Sequence, residues 1–363
     1  MDPTDHHHPP STPTPTEGVT STGHLVTAGP MRAIVQDRYG SSTTWVLTDT
    51  DRPEIGADEV LVRVRAAGLD RGTWHSMTGR PYLMRVLGFG LRAPKRRVPG
   101  LAVAGSVVAV GADVTRFTVG DEVFGVSRGA FAEYAAASED KLALKPSSIT
   151  FEQAAAVPVS ATTALQALRQ GRVGAGQHVL VLGASGGVGA YAVQLAKASG
   201  AEVTAVCSAA KAGFVRSLGA DHVLDYRTDD VADGSRRYDL ILDIGGNTPL
   251  RRLRRALEPT GTLVIVGGES KGNLTGGFGR SLRAPLVSMF VRPRLTMLVS
   301  SEHHADLLPL TELIDDGRVT PHVDRTYPLD RAQEAMGHLE AGTVLGKIVV
   351  TVAPQPEESE AQV

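Results

Sequence analysis

The sequence predicts an α/β protein in which a doubly wound parallel sheet is joined to a smaller, β-rich, barrel-like domain. Three observations predict it. From His178 to Val266, short apolar runs alternate with helical segments, the pattern of a parallel sheet covered on both faces. From Arg32 to Tyr134, many short β runs follow one another across glycine turns, as in a small barrel. Gln177–Gly200 (QHVLVLGASGGVGAYAVQLAKASG) then sets strand, glycine turn and helix in one stretch.

With 363 residues the chain is long enough for two domains and a sizeable core. A net charge of −2 argues against a nucleic-acid surface held by bulk electrostatics. The one cysteine, Cys207, excludes an intrachain disulfide and a cysteine-built zinc site, and it fits a reducing, cytoplasmic setting. Val173–Ala196 carries no charged side chain, but it contains the glycine turn, whose backbone lipid could not satisfy, so no membrane span is expected. Residues 1–30 hold six of the 21 prolines and no aromatic residue, and are expected to be a disordered leader. His6, His7 and His8 belong to it and read as an exposed tail. The end after Val352 is expected to be solvated.

In chain order, Arg32–Gln36 and Glu59–Arg65 read as strands; the second, EVLVRVR, puts Val60, Val62 and Val64 on one face. Ala66–His75 reads as a turn into a short helix or loop. A basic loop, Arg92–Arg97, follows, then β runs at Pro99–Gly105, Ser106–Gly111, Val119–Gly125 and Phe131–Tyr134. Phe151–Leu168 is alanine-rich and reads as one helix. Beyond the glycine turn, strands are expected at Glu202–Cys207, His222–Leu224, Asp239–Ile244 and Thr262–Val266, with helices at Lys211–Leu218 and Leu250–Leu257 between them. Arg251, Arg252, Arg254 and Arg255 read as a solvated helix face. Two helices, Leu307–Asp316 and Leu329–Glu340, precede a last strand, Gly346–Val352.

The glycine turn carries the chemistry. Gly183, Gly186 and Gly189 are three apart, Gly187 thickens the turn, and Ala184, Ser185 and Val188 complete it. A pyrophosphate has to approach backbone N–H groups at a helix N-terminus, where a Cβ would stand in the way and the helix dipole favours negative charge. The context is that of a Rossmann-type dinucleotide site; the alternative is a turn in an unliganded doubly wound domain. NAD-binding chains place an acid about 20 residues past the glycines to hold the ribose 2′-hydroxyl. Here the next strand ends in Cys207-Ser208, with Lys211 beyond, which favours a 2′-phosphate and hence NADP(H). Lys211 as a solvated helix residue is the alternative.

From Met31 to about Val352 the chain resembles the medium-chain dehydrogenase/reductase superfamily, most of all its zinc-independent quinone oxidoreductase and enoyl reductase branch. The resemblance rests on AAGLD (Ala66–Asp70), the Pro99–Gly111 run, GDEVFG (Gly120–Gly125) and FAEY (Phe131–Tyr134). It continues through AAAVPVSATTALQAL (Ala154–Leu168), GASGGVG (Gly183–Gly189), LGAD (Leu218–Asp221), Asp225-Tyr226 and Gly346-Lys347. It implies a GroES-like substrate domain (31–153), a Rossmann NADP-binding domain (154–300), a return to the first domain (301–353), a tail (354–363) and an active site in the interdomain cleft. It also implies that Thr163, Gly245-Gly246 and Gly267-Gly268 lie along the nicotinamide side, and that Tyr226 and Lys347 contact the cofactor. Each glycine pair also ends a strand, where a turn alone would suffice.

Departures from the family pattern shape the expected chemistry. Zinc relatives carry a Cys after the AAG turn and Gly-His-Glu beside the later Pro-Gly run; here those places read Leu69-Asp70 and Leu101-Ala102-Val103. No ligand set for a catalytic metal stands in place, and Asp70, Asp121 and His75 are the nearest substitutes. The zinc-free branch usually carries an Asn and then an Asp three residues on; here Asp70 and Thr73 stand there. Tyr82 falls near the place of the enoyl reductase tyrosine, and packing against the basic loop is its other reading. His75 is the second candidate proton donor, with a hydrogen-bonded or surface role as its alternative, and Asp70 is expected to orient a neighbour. The expected function is metal-free, NADPH-dependent hydride transfer to a quinone or an α,β-unsaturated carbonyl, by a possible homodimer. The alternatives are a zinc-independent alcohol dehydrogenase or carbonyl reductase, and a non-catalytic NADPH-binding protein.

Overall fold

The computed structural model describes residues 29–246, 248–267 and 278–352. Residues 1–28 of the expected leader and the whole expected tail lie outside them, and Pro30 already begins the first strand.

The β-rich unit is built on β1 (Pro30–Val35), β2 (Val46–Asp51), β3 (Glu59–Leu69), β4 (Ala102–Val110), β5 (Glu122–Val126), β6 (Tyr134–Ser138) and β7 (Leu142–Leu144). A short helix, α1 (Arg71–Thr78), leaves the end of β3. The hub is β3, which pairs antiparallel with β4 and β6. The AAGLD stretch is strand as far as Leu69, where a turn was expected. Gly68 is what allows it: a Cβ there would stand 2.3 Å from the Ala155 carbonyl oxygen, so the strand passes flush beneath the next element.

That element is α2 (Phe151–Ala155), followed by α3 (Pro158–Gly171). The single helix expected over Phe151–Leu168 is therefore two. Pro158 has no N–H and disfavours helical geometry at the residue before it, so it starts a new helix instead of continuing the old one.

The second unit alternates β8 (His178–Leu182), α4 (Gly187–Ala198), β9 (Glu202–Cys207), α5 (Ala212–Ser217), β10 (His222–Asp225), β11 (Tyr238–Asp243), α6 (Leu250–Ala256), β12 (Leu257–Ile265), α7 (Phe278–Ser288) and β13 (Arg294–Met297). Its six strands are all parallel, in the order β10-β9-β8-β11-β12-β13. That is the doubly wound 3-2-1-4-5-6 order. Leu253 and Ala256 turn inward from α6 while Arg251, Arg252, Arg254 and Arg255 are exposed, a solvated face with Arg252 paired to Asp230 at 2.5 Å.

The chain then returns. Helix α8 (His304–Asp315) packs against α3 and β7, and α9 (Ala332–Glu340) against β14 (Val323–Pro328) and β15 (Lys347–Thr351). Strand β15 inserts between β14 and β3, giving the order β14-β15-β3-β4-β5-β7. The fold is thus a GroES-like β unit and a Rossmann-type parallel sheet, and the last strand brings residue 347 beside the glycine turn.

Candidate functional site

The site forms where the strand order reverses. Strand β8 leads through α4 to β9 on one side, and β11 lies on its other side. In such sheets the crevice beyond the carboxyl ends of the two central strands takes the ligand. Gly183 ends β8 in the left-handed region (φ 84°), and a Cβ on it would meet the Gly245 amide nitrogen at 3.0 Å. The two strand ends touch through glycine backbone.

The glycines of the turn differ in what surrounds them. A Cβ on Gly189 would stand 2.2 Å from the Gly183 carbonyl oxygen, so Gly189 lets α4 seat on the turn. A Cβ on Gly187 would stand 2.9 Å from Lys347 Cδ and 3.0 Å from Ser160 Oγ. Gly186, the N-cap of α4, faces open space, its nearest neighbour being the Gly183 carbonyl oxygen at 3.7 Å. The amides of the first turn of α4 have no carbonyl one turn back to bond. This is a cradle that a Cβ would fill, and its donors suit a pyrophosphate.

Around it the expected cofactor residues divide. Lys347 is buried, and its Nζ donates to the Leu69 carbonyl at 2.8 Å. Burial pushes its pKa down, and the Asp70 carboxylate opposes that shift. Gly346 donates its N–H to the Ser185 carbonyl at 3.0 Å, tying the start of β15 to the turn. Thr163 Oγ donates to Val159 O at 2.7 Å and lies 3.3 Å from Ser300 Oγ. Ser208 follows β9, and Tyr226 is exposed, with Arg227 over its ring. A Cβ on Gly267 would stand 2.4 Å from the Ile244 carbonyl oxygen, and Gly246 has φ 70°, so both are needed by the turns they make. Gly268 lies outside the described residues.

Lys211 has a further engagement that the sequence did not disclose. Its Nζ donates to the carbonyls of Gly342 (2.7 Å) and Val344 (2.9 Å) and so clasps the loop before β15. Partial burial lowers its pKa, and Asp324 opposes this. Spacing along the chain placed Lys211 at the end of β9, but it could not disclose two carbonyls brought in from 131 residues away and more.

The candidate catalytic side chains occupy different settings. Asp70 caps α1: its Oδ1 accepts from Thr73 N–H (2.8 Å) and Oγ1–H (3.1 Å), while Oδ2 is buried without a hydrogen-bond partner. The Asp and Thr that replace the family's usual pair thus bond to each other. His75 Nδ1 donates to the Arg80 carbonyl at 2.7 Å, so in the neutral ring Nε2 carries no proton to give. Tyr82 is 40% exposed, with the Arg85 guanidinium 4.7 Å from its ring centroid. As a metal set, Asp70, Asp121 and His75 are each engaged separately, Asp121 accepting from Thr118 N–H. Among the described residues no group of three or more His, Cys, Asp or Glu side chains is placed to hold a metal ion.

One element of the site was not expected. Asp243, at the carboxyl end of β11, is fully buried; it accepts from Gly246 N–H at 2.9 Å and pairs with Arg280 of α7. Burial pushes its carboxyl up, and Arg280 opposes that. The pair fixes the Gly245-Gly246 turn against Gly183. A lone acid ending the apolar run Leu240–Leu242 is the signal that could have found it, since a buried carboxylate needs a partner.

Residues 56–147 match the family model described as alcohol dehydrogenase GroES-like domain, and residues 218–350 match the one described as zinc-binding dehydrogenase. The chloroplastic quinone-oxidoreductase QR1 of Triphysaria versicolor is 31% identical over 88% of this chain and 98% of that protein.

The chain is a medium-chain dehydrogenase/reductase.

Within that superfamily it belongs to the quinone oxidoreductase/enoyl reductase-like branch. The chloroplastic NADPH-dependent alkenal/one oxidoreductase of Arabidopsis thaliana is 33% identical over 89% of this chain and 80% of that protein. The structure of the quinone oxidoreductase from Coxiella burnetii superposes with a TM-score of 0.80 at 29% identity, over 90% of this chain and all of that one. This member of the superfamily is an oxidoreductase that uses a nicotinamide cofactor.

Proposed function

We propose that the chain is an NADPH-dependent, metal-free oxidoreductase acting on a quinone or an α,β-unsaturated carbonyl. The observation that carries the reading is the Gly183–Gly189 cradle at the reversal point of the sheet, with buried Lys347 beside it. The amides of α4 and Lys347 would hold the pyrophosphate, and the turn that Asp243 and Arg280 fix would line the nicotinamide side together with Thr163. The lack of an acid in the last residues of β9 favours NADPH over NADH, and Ser208 and Tyr226 would be the contacts to its 2′-phosphate. When bound, the cofactor supplies the hydride.

What remains for the protein is alignment, exclusion of water and stabilisation of charge. Hydride addition to the β-carbon of an enone places negative charge on its carbonyl oxygen. Tyr82 is the proposed donor to that oxygen, because a phenol hydroxyl is a hydrogen-bond donor while His75 has committed Nδ1 to Arg80. Without a Lewis acid, a conjugated acceptor is the favoured substrate over a plain ketone. The names of relatives that act on quinones and on alkenals or enones support the same class.

The test is an acceptor screen with NADPH after exhaustive chelation, covering quinones, enones, aldehydes and enoyl thioesters. Turnover of quinones or enones that survives chelation is expected. Tyr82→Phe should then lower kcat on the best enone by about 100-fold, within the range for positioned acid–base groups, and spare NADPH affinity. Tight NADPH binding without turnover of any acceptor would favour a non-catalytic protein. Zinc-dependent turnover of alcohols would overturn the metal-free reading.

We infer that the chain pairs with itself. Strand β13 ends the parallel sheet with one edge unpaired among the described residues, and the adjoining α7 region exposes Leu282, Leu286, Met289 and Phe290.

A further inference from the structure

From Arg71 to Ala112 the chain holds no Asp or Glu, yet it holds six arginines and a lysine, in a protein whose net charge is −2. The middle of this run is a built loop. Arg85 lies between the rings of Tyr39 (4.2 Å) and Tyr82 (4.7 Å), and its guanidinium donates to the Gly79 and Thr78 carbonyls. Tyr39 donates to Gly90 O at 2.6 Å, and Lys95 N–H to Phe89 O at 2.7 Å. Gly88 and Gly90 take backbone angles that other residues rarely adopt (φ 135° and 107°), which closes the loop on itself.

The anchored loop turns its apolar side chains outward. Val86 is 71% exposed, Leu87 63% and Leu91 71%, within six residues of one another. Exposed cations flank them: Arg80, Arg92, Lys95 and Arg96. Arg97 is paired with Asp37 at 2.6 Å. Single exposed apolar residues are ordinary on protein surfaces, but three on one tethered loop with exposed cations before and after them in the chain are not. The exposed apolar residues of α7 have a different setting, beside an open strand edge that a second copy can cover.

We propose that this loop docks the protein on the surface of an anionic membrane, Val86, Leu87 and Leu91 entering the headgroup boundary and the cations meeting lipid phosphates and carboxylates. The chemistry commits to lipid because the occupant has to be both apolar and anionic over one small loop, and a bilayer interface offers both together. Among the described residues no helix is long and apolar enough to cross a membrane, so the contact is peripheral. The inference rests on exposure and charge alone and does not depend on which acceptor is reduced.

The test is co-sedimentation of the full chain with vesicles of phosphatidylcholine alone and of phosphatidylcholine with phosphatidylserine. Binding is expected to the second kind only and to weaken with salt. Each of Lys95→Glu and Arg96→Glu should weaken it by about fivefold or more, the scale of one cation near an anionic surface. Leu87→Asp should weaken it as well, although the cations remain. Thermal unfolding checks that the variants are folded, and Val119→Asp, at an exposed apolar residue outside both the loop and the α7 face, serves as the control. Absence of binding to the phosphatidylserine vesicles overturns the proposal. So does binding that the loop variants leave unchanged, or that Val119→Asp abolishes instead. If the chain ignores vesicles but the loop variants lose turnover of an anionic enoyl thioester, the cations serve a substrate and not a membrane.

Discussion

At the scale of single residues, two lysines bear on the proposed cofactor contacts. Lys211 is both a candidate contact for the 2′-phosphate and a clasp on the 342–344 loop. Lys211→Ala should weaken NADPH binding by about 1.5–3 kcal/mol, the scale of a hydrogen bond to a charged group, and leave NADH nearly untouched. Titration of both nucleotides by fluorescence decides it: equal losses would assign Lys211 to the clasp alone. Lys347 makes a prediction about pH. Its folded pKa is depressed below the ordinary 10.5, chiefly by burial. Between those two values the unfolded chain binds more protons than the folded one, so stability rises with pH across that window. The contribution is complete above 10.5 and is lost as pH falls through the folded value. Lys347→Met should remove this rise, seen as a difference between variant and wild-type unfolding free energies in denaturant across the alkaline range. An identical pH dependence in the two proteins would mean that Lys347 titrates alike folded and unfolded.

At the scale of the element, the β8–turn–α4 unit separates folding from binding at neighbouring glycines. Gly189→Ala drives a Cβ to 2.2 Å from the Gly183 carbonyl, a backbone atom that cannot yield, so α4 has to lift off the turn. A loss of about 1–3 kcal/mol, the usual cost of overpacking, is expected in thermal or chemical unfolding, along with loss of NADPH binding. Gly186→Ala meets nothing closer than 3.7 Å, and its backbone (φ −84°, ψ 178°) suits any residue. Stability should hold within about 0.5 kcal/mol. NADPH binding should nevertheless fall by tenfold or more, an order of magnitude, because the methyl enters the space the pyrophosphate needs. Unchanged affinity in Gly186→Ala would move the anion away from this turn.

At the scale of the molecule, the late return of the chain assembles the site. Strand β15 lies between β14 and β3, and the residues that introduce it bond to the glycine turn through Gly346 and to Lys211 through Gly342 and Val344. The two units are therefore stitched together at the cofactor crevice. The open edge of β13 and the exposed face of α7 lead to an expected dimer. Sedimentation velocity should find about twice the chain mass of 38.2 kDa. Leu286→Asp combined with Phe290→Asp should shift the distribution toward monomer. A wild-type chain that sediments as a monomer at micromolar concentration would rule this interface out.

The sequence by itself determined whatever depends on local period and local sterics. The alternation of strand and helix from β8 to β12 was legible because buried strands and amphipathic helices carry different apolar periods. The glycine cradle was legible because Gly183 and Gly189 answer local steric demands of the strand-to-helix turn that a Cβ would violate. The break at Pro158 was also written locally, in the missing N–H of proline, although the apolar pattern ran across it. Tertiary structure alone decided the matters that depend on distant segments meeting. The strand through Ala66–Leu69 exists because β4 and β15 pair with it and Gly68 admits the Ala155 carbonyl. Lys211 is held by carbonyls of the residues that lead into β15, and Asp243 is held by Arg280 of α7. A hydrogen bond or ion pair between such segments leaves no periodicity in the sequence. Its donor and acceptor become neighbours only once the sheet order has been set.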